Sequence, residues 1–236
     1  MLEAQHLSFI HPGSNEPVLN DVTFHIKAGS TTLICGGNGA GKSTLLRLIA
    51  GLLRPSSGSI AFADPAFGTN SQHGGCSLLM QEADYQILGS TVLEDMLLPW
   101  AKPSGELMEK ARKLAEIAGL EGCLNTPPSQ LSYGQKRRLC IASAMMADPE
   151  LLLMDEPSTG LDYAGCNLLA ETISALREKG MTIMLATHDP ALFMPILDEN
   201  DNVMILSQGH LCGFFSKSNA VYAINKHPEW NVRPCL

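Results

Sequence analysis

The stretch Gly36-Gly37-Asn38-Gly39-Ala40-Gly41-Lys42-Ser43-Thr44 limits what this chain can fold into more sharply than any other. It fits the pattern GxxxxGK[ST], and it stands where that pattern has physical meaning. Before it, Thr31 to Cys35 is a continuous β-prone run around Thr32, Leu33 and Ile34, predicting a buried strand. After it, Thr44 to Ala50 (TLLRLIA) predicts a helix. A strand, a glycine-rich loop and a helix start together make a cradle for phosphate: glycines let the backbone N–H groups wrap inward, and the helix N-terminus adds partial positive charge. Lys42 is then placed to reach β- and γ-phosphates, and the Ser43 hydroxyl to ligate Mg²⁺. A glycine-rich turn with an incidental lysine is the alternative, and it leaves the flanking strand and helix unexplained.

The remainder of the chain predicts an α/β architecture. Val22, Phe24 and Ile26 alternate with Thr23, His25 and Lys27, the period of a half-buried strand, which Ala28-Gly29 ends. From Thr91 to Ala147 the section is mainly helical: Leu107, Ala111, Leu114 and Ala118 recur at helical spacing after Pro103-Ser104, and Gly119 stops the run. A buried strand at Leu151 to Met154, a helix from about Ala164 to Lys179 closed by Gly180, a strand from Met181 to Thr187 and a hairpin from Val203 to Phe215 around Gln208-Gly209 complete the pattern. Strands alternating with helices imply a mainly parallel sheet carrying a helical insertion. Pro127-Pro128-Ser129 and Ser71 to Gly75 are expected as exposed connections inside one domain spanning 1–236.

Composition narrows the partners. A chain of 236 residues, 45% hydrophobic and 17% charged, can bury a sizeable core. Its net charge of −8 disfavours a nucleic-acid partner, since phosphate backbones are held by clustered Lys and Arg and the densest such run is Lys136-Arg137-Arg138. No stretch approaches the roughly 18 apolar residues of a spanning helix, and MLEAQHLSF has no basic start or apolar signal core, so a soluble cytoplasmic protein is expected. The seven cysteines are scattered with no CxxC pair, predicting reduced thiols.

Two further sites follow the phosphate loop. Leu151 to Met154 runs into Asp155-Glu156, which sets two carboxylates at the C-terminal edge of a strand, where open α/β sheets bind ligands. Asp155 suits a second Mg²⁺ contact, and Glu156 suits a base that polarises the attacking water; a solvated turn before Pro157 is the alternative. His188 also follows an apolar strand and is placed to hydrogen-bond a γ-phosphate and orient Glu156 or the water, although a lone histidine there can equally be a polar strand terminus.

Between these motifs, Leu131-Ser132-Tyr133-Gly134-Gln135 resembles the LSGGQ signature of ABC ATPases. The order of Gly36 to Thr44, Gln81, Leu131 to Gln135, Leu153 to Glu156, Ser158-Thr159-Gly160-Leu161-Asp162 and His188 is similar to that family's full set, from Leu2 to about Phe215. The resemblance implies a P-loop NTPase fold with a mainly parallel core sheet, an N-terminal antiparallel β subdomain, a helical subdomain over about 85–150 and a short tail over about 216–236. It implies ATP and Mg²⁺ as ligands and a head-to-tail dimer, homo- or heteromeric, in which ATP on one phosphate loop is covered by the other subunit's signature. Gln81 would contact Mg²⁺ and the water region. Ser132 and Gly134, with Gln135 completing the signature, would bind the partner's γ-phosphate, with Lys136 to Ala142 as the helix behind them. Asp162 would communicate across the dimer, and His11 would stack on adenine. Two positions depart from the family: Tyr133 stands where glycine is usual, and His11 where tyrosine is usual.

Met80 to Leu88 (MQEADYQIL) followed by Thr91-Val92-Leu93-Glu94-Asp95 resembles the energy-coupling-factor branch, whose glutamine loop runs into an extra glutamine-bearing helix, here carrying Gln86. Arg137-Arg138 and Ser158 to Asp162 fit that branch, while Glu82-Ala83 departs from its common Asn-Pro. The branch implies a peripheral ATPase on the cytoplasmic side of the cell membrane, driving import of a vitamin or transition-metal ion. Its partners would be a transmembrane coupling subunit, whose helices sit near Ala83 to Leu98, and a substrate-binding membrane protein. Rival readings are a non-transport ABC ATPase of translation or DNA repair and a subunit that binds ATP without hydrolysing it.

Overall fold

A computed structural model describes residues 1–63 and 75–234. Its strands are β1 (Leu2–Ile10), β2 (Pro17–Ile26), β3 (Thr31–Cys35), β4 (Ser57–Phe62), β5 (Cys76–Leu79), β6 (Leu151–Asp155), β7 (Thr182–Thr187), β8 (Asn202–Ser207) and β9 (His210–Ser216). The helices are α1 (Lys42–Ile49), α2 (Val92–Leu97), α3 (Gly105–Ile117), α4 (Tyr133–Met145), α5 (Tyr163–Glu178) and α6 (Lys217–Lys226). They build two sheets. One is antiparallel with order β2-β1-β4; the other has order β5-β6-β7-β3-β8-β9 and is parallel except where β9 folds back on β8.

Burial explains this division. Every residue of β3, β6 and β7 is buried, as continuous apolar strands covered on both faces must be. Across β7, Ile183 and Leu185 face one apolar cluster, with α5, while Met184 and Ala186 face the other, with α1 and the antiparallel sheet. A third cluster, Val92, Met96, Ala111, Ala115, Leu139, Ala142 and Met146 among its members, belongs to α2, α3 and α4. At the far end of α5, Arg177 donates to Thr31 Oγ1 at 2.9 Å, to the Ile196 carbonyl and to the 97% buried Asp201, tying the helix to the start of β3.

Most expected elements appear within a residue or two at each end, but β2 begins at Pro17, five residues before the alternation that starts at Val22. Ser104 caps α3, accepting from Leu107 N–H at 3.2 Å, and Gly119 (φ 62°) ends it. Gln208 and Gly209 both take positive φ, the type I′ geometry whose twist suits a hairpin. Three strands carry no clear sequence pattern. In β1, His6 at φ 50° coincides with a register shift between Ala4 and Leu7, which breaks the alternation that would announce a strand. β4 contains Gly58, and β5 has four residues. Of the two expected exposed connections, Pro128 is buried between exposed Pro127 and Ser129. Residues 71–74 of the other, like Cys235, lie outside the described residues. Gly75, expected exposed, is buried because its carbonyl accepts from Leu151 N–H at 3.2 Å, joining β5 to β6. Among the described residues, none of the six cysteines is in a disulfide.

Candidate active site

The site lies at the C-terminal ends of three neighbouring parallel strands. In the order β6-β7-β3, Asp155 pairs with Ala186 and Cys35 with Thr187, so the loops leaving all three strands emerge side by side. The phosphate loop leaves β3, Glu156 leaves β6, and His188 leaves β7. They line a cleft of about 440 Å³ together with Val18, Asn38, Gly39, Ala40, Gly41, Lys42, Ser43, Thr44, Gln81 and Thr159.

Two glycines set the loop's path. A β-carbon on Gly36 would stand 2.4 Å from the Leu206 carbonyl oxygen, and one on Gly41 2.6 Å from Leu19 Cδ2, where φ is also 101°. No side chain fits at either place. The loop therefore turns tightly into α1 with Gly41 as its N-cap, aiming the helix N-terminus at the cleft. Lys42, 6% exposed, donates to the Gly36 carbonyl at 2.8 Å and the Gly37 carbonyl at 3.2 Å, and its Nζ stands 3.2 Å from Glu156 Oε1. The Ser43 hydroxyl donates to Asp155 Oδ1 at 2.9 Å. Burial pushes the Asp155 carboxyl up, the hydrogen bond from Ser43 opposing it.

Glu156 turns out of β6 through φ 46°, a left-handed conformation uncommon for a non-glycine residue, while its N–H still donates to the Ala186 carbonyl at 2.9 Å. That turn directs the carboxylate inward, where it is 6% exposed. His188 Nδ1 approaches Glu156 Oε2 at 2.7 Å, and the His188 backbone N–H donates to the same oxygen at 3.3 Å. Lys42, Glu156 and His188 thus form one connected chain of polar groups at the mouth of the phosphate loop.

The hard oxygens of Ser43 and Asp155 suit Mg²⁺, which takes few protein ligands and completes its shell with water and phosphate oxygens. Among the described residues, no cluster of three or more His, Cys, Asp or Glu could by itself hold a metal ion. Gln81 is exposed and lines the same cleft.

The signature residues lie elsewhere. Ser132, Tyr133, Gly134, Gly160, Leu161, Asp162 and Gly165 line a second hollow sharing no residue with the first. Ser132 caps α4 by accepting from Gln135 N–H at 3.2 Å, and Gln135 Oε1 accepts from Ser132 N–H at 2.8 Å, a capping box. Gln135, expected at a phosphate, spends its side chain on that box. Asp162 caps α5, accepting from Gly165 N–H at 2.8 Å. Tyr133 turns its ring toward Gly160, where a β-carbon would stand 3.0 Å from Tyr133 Cε1. His11 does not line the cleft: it is exposed and meets Phe9 edge-on at 4.9 Å. Gln86 sits after a single 3-10 turn (Ala83–Tyr85) and not on a longer helix. Its amide accepts from Met80 N–H and donates to the Leu78 carbonyl, both at 2.8 Å, bracketing the end of edge strand β5. Val18 lines the cleft without any sequence signal, because it is an ordinary strand residue until folded, and Thr159, quoted only as part of the Ser158 to Asp162 stretch, lines it too.

A family model described as "ABC transporter" matches residues 19–159. The chain belongs to the ABC transporter family. This ABC protein is accordingly an ATP-binding ATPase built on the α/β cassette fold, as its sequence resemblance implied. Among its relatives is the energy-coupling factor transporter ATP-binding protein EcfA of Methanocaldococcus jannaschii, 32% identical over 95% of this chain and 84% of the relative. The cobalt import ATP-binding protein CbiO of Rhodobacter capsulatus is 37% identical over 84% of this chain and 73% of that protein. Among solved structures, cbiO1 from Clostridium perfringens, part of the ABC transporter complex cbiONQ, superposes with a TM-score of 0.82 at 26% identity, over 97% of this chain and 94% of that one. The ATP-binding cassette MJ0796, solved as a dimer in a post-hydrolysis state bound to ADP and Pi, gives 0.78 at 26% identity, over 92% and 99%.

Proposed function

We propose that this ABC ATPase is the motor subunit of an energy-coupling-factor type importer of a vitamin or transition-metal ion. Similarity to EcfA along nearly the whole chain supports that branch. The observation that supports hydrolysis, and not ATP binding alone, is the buried Glu156 carboxylate held between Lys42 and His188 beside the phosphate loop.

In this reading the Gly36 to Thr44 backbone and Lys42 hold the β- and γ-phosphates. Ser43 and Asp155, with Gln81 nearby, would hold Mg²⁺, which would neutralise charge on the phosphate oxygens. Glu156 accepts the proton of the attacking water, and His188 fixes the carboxylate's orientation while its exposed side faces the γ-phosphate. Ser132 and Gly134 of a second ATPase subunit cover the nucleotide, and Asp162 lies beside them on that face.

The described residues contain no helix long and apolar enough to cross a membrane, so membrane coupling would come from partners. An apolar groove lined by Leu88, Leu93, Leu97, Leu98 and Trp100 supports docking of a coupling subunit's helix from the cytoplasmic side; a separate membrane protein would bind the substrate. We treat 1–236 as one working unit with its helical part at about 85–150.

Glu156→Gln tests both halves. Phosphate release should fall by roughly 10² to 10⁴, the scale of a positioned base, with ATP binding retained. Tagged Glu156→Gln protein with ATP should also bring down a polytopic coupling protein from detergent-solubilised membranes of its source. Near-normal phosphate release removes Glu156 from its role, and recovery of ribosomes or DNA-repair factors in place of membrane proteins supports a non-transport ATPase.

A further inference from the structure

The side chain of Arg137 is one of the largest fully buried groups in the chain, and nothing in the catalytic scheme uses it. It stands one turn into α4. Its guanidinium donates to the Met80 carbonyl and the Gln81 carbonyl, and to the Tyr133 hydroxyl at 3.4 Å, while its Nε finds no acceptor among the described residues. It also lies over the Tyr133 ring, 5.7 Å from the centroid. It makes no ion pair among the described residues, so its charge is met by main-chain oxygens and a ring face. A buried cation so incompletely satisfied is a poor stabiliser, which directs attention to what it holds in place.

What it holds is the backbone of Gln81. Tyr133, the residue that departs from the family glycine, acts on the same point: its hydroxyl donates to the Gln81 carbonyl at 3.4 Å. The other side of its ring fills a notch above Gly160, where a β-carbon would stand 3.0 Å from Tyr133 Cε1. Lys136, one residue before Arg137, pairs with Asp84 at 2.6 Å, reinforcing the join between α4 and the segment after β5. Gln81 and Thr159 line the phosphate cleft, whereas Tyr133 and Gly160 line the signature hollow. Tyr133 and Arg137 therefore bridge the two.

We infer that Tyr133 and Arg137 are positioning residues that lock the Gln81 loop to the signature turn, so that Gln81's place in the chain's own cleft and the signature's place toward a partner's nucleotide are set together. This rests on the reading of the protein as a dimeric ATPase. A planar guanidinium is suited to the task because its rigid fork spreads its donors over two successive carbonyls and the phenol, whereas an ammonium gathers its three donors at one point on a flexible stem. The tyrosine provides what glycine there would lack: a rigid spacer between Gln81 and Gly160.

The test uses the purified full chain. ATP turnover is measured against MgATP concentration, and affinity of the cleft is titrated with a fluorescent ATP analogue, for wild type, Arg137→Lys, Tyr133→Phe, Gln81→Ala and the double variant Gln81→Ala/Arg137→Lys. Arg137→Lys should lower kcat roughly tenfold, in line with the cost of misplacing a positioned group, while cleft affinity stays within about twofold. Tyr133→Phe, which deletes one oxygen, should lower kcat in the same direction. In the Gln81→Ala background, Arg137→Lys should cost little more, because both act at one point. Wild-type kcat in Arg137→Lys and Tyr133→Phe, or losses that multiply with Gln81→Ala, overturns the inference. If Arg137→Lys fails to fold, Tyr133→Phe alone and combined with Gln81→Ala decides by the same criteria. A wild-type chain without Glu156-dependent hydrolysis would instead overturn the ATPase reading itself.

Discussion

Asp155 is 4% exposed, and its burial raises its carboxyl above the usual range. A carboxyl with a raised folded value binds its proton more tightly folded than unfolded. Its contribution to stability is therefore full below the unfolded value and is lost as pH rises through the folded one. Asp155→Asn, neutral throughout, escapes that loss. In buffer without Mg²⁺ or nucleotide, the melting temperature of Asp155→Asn relative to wild type should be more favourable at neutral pH than near pH 4; a constant difference refutes the assignment. Lys42 shows a second consequence of burial. Its ammonium is already aligned by the Gly36 and Gly37 carbonyls, so little ordering remains to be done on binding phosphate. Lys42→Ala should weaken ATP affinity by about ten- to a hundredfold, the worth of one charge-assisted hydrogen bond, measured by equilibrium titration. Both residues were legible in sequence by type and spacing. The Lys42–Glu156 contact was not, since a motif states which groups are present and not how closely they meet; His188 was expected to orient either Glu156 or the water, and only the folded chain brings its ring onto the carboxylate.

At the scale of elements, α5 is anchored by its last turn. Arg177 joins it to Thr31 at the start of β3 and to the buried carboxylate of Asp201, whose other oxygen accepts from Thr31 N–H at 2.7 Å. Arg177→Ala would leave Asp201 buried without its cation. It should cost roughly 3–5 kcal/mol of unfolding free energy, the scale for breaking a buried pair, seen as a lower denaturation midpoint in urea. A loss below about 1 kcal/mol would show that the pair acts as a surface bridge. The tail illustrates what periodicity missed. The sequence offers no functional account of Trp230, yet α6 and the turn after it pack Ala220, Ile224 and Val232 into the main core, and Trp230 stacks on His227 at 4.3 Å. A ten-residue helix whose buried face is only Ala220, Ala223 and Ile224 gives a weak pattern, and that face is recognisable only against the surface it covers.

For the whole molecule, the phosphate cleft and the signature hollow are separate linings on one chain, so a complete site requires two chains in the proposed dimer. Glu156→Gln with MgATP should run as a dimer in size exclusion with light scattering. Adding Ser132→Arg, at an exposed position outside the cleft, should return it to monomer with the cleft's ATP affinity unchanged; a persisting dimer excludes the signature face from the interface. The phosphate loop, the paired carboxylates, the signature turn and the α/β succession were all determined by sequence alone, because each depends on residues within one turn or strand of each other. The order β6-β7-β3 was decided only in the tertiary structure. That order brings Asp155 onto Ser43 across 112 residues of chain and Glu156 beside His188. Local preferences mark β3, β6 and β7 as strands, but which strands become neighbours depends on burying both faces of the whole sheet at once.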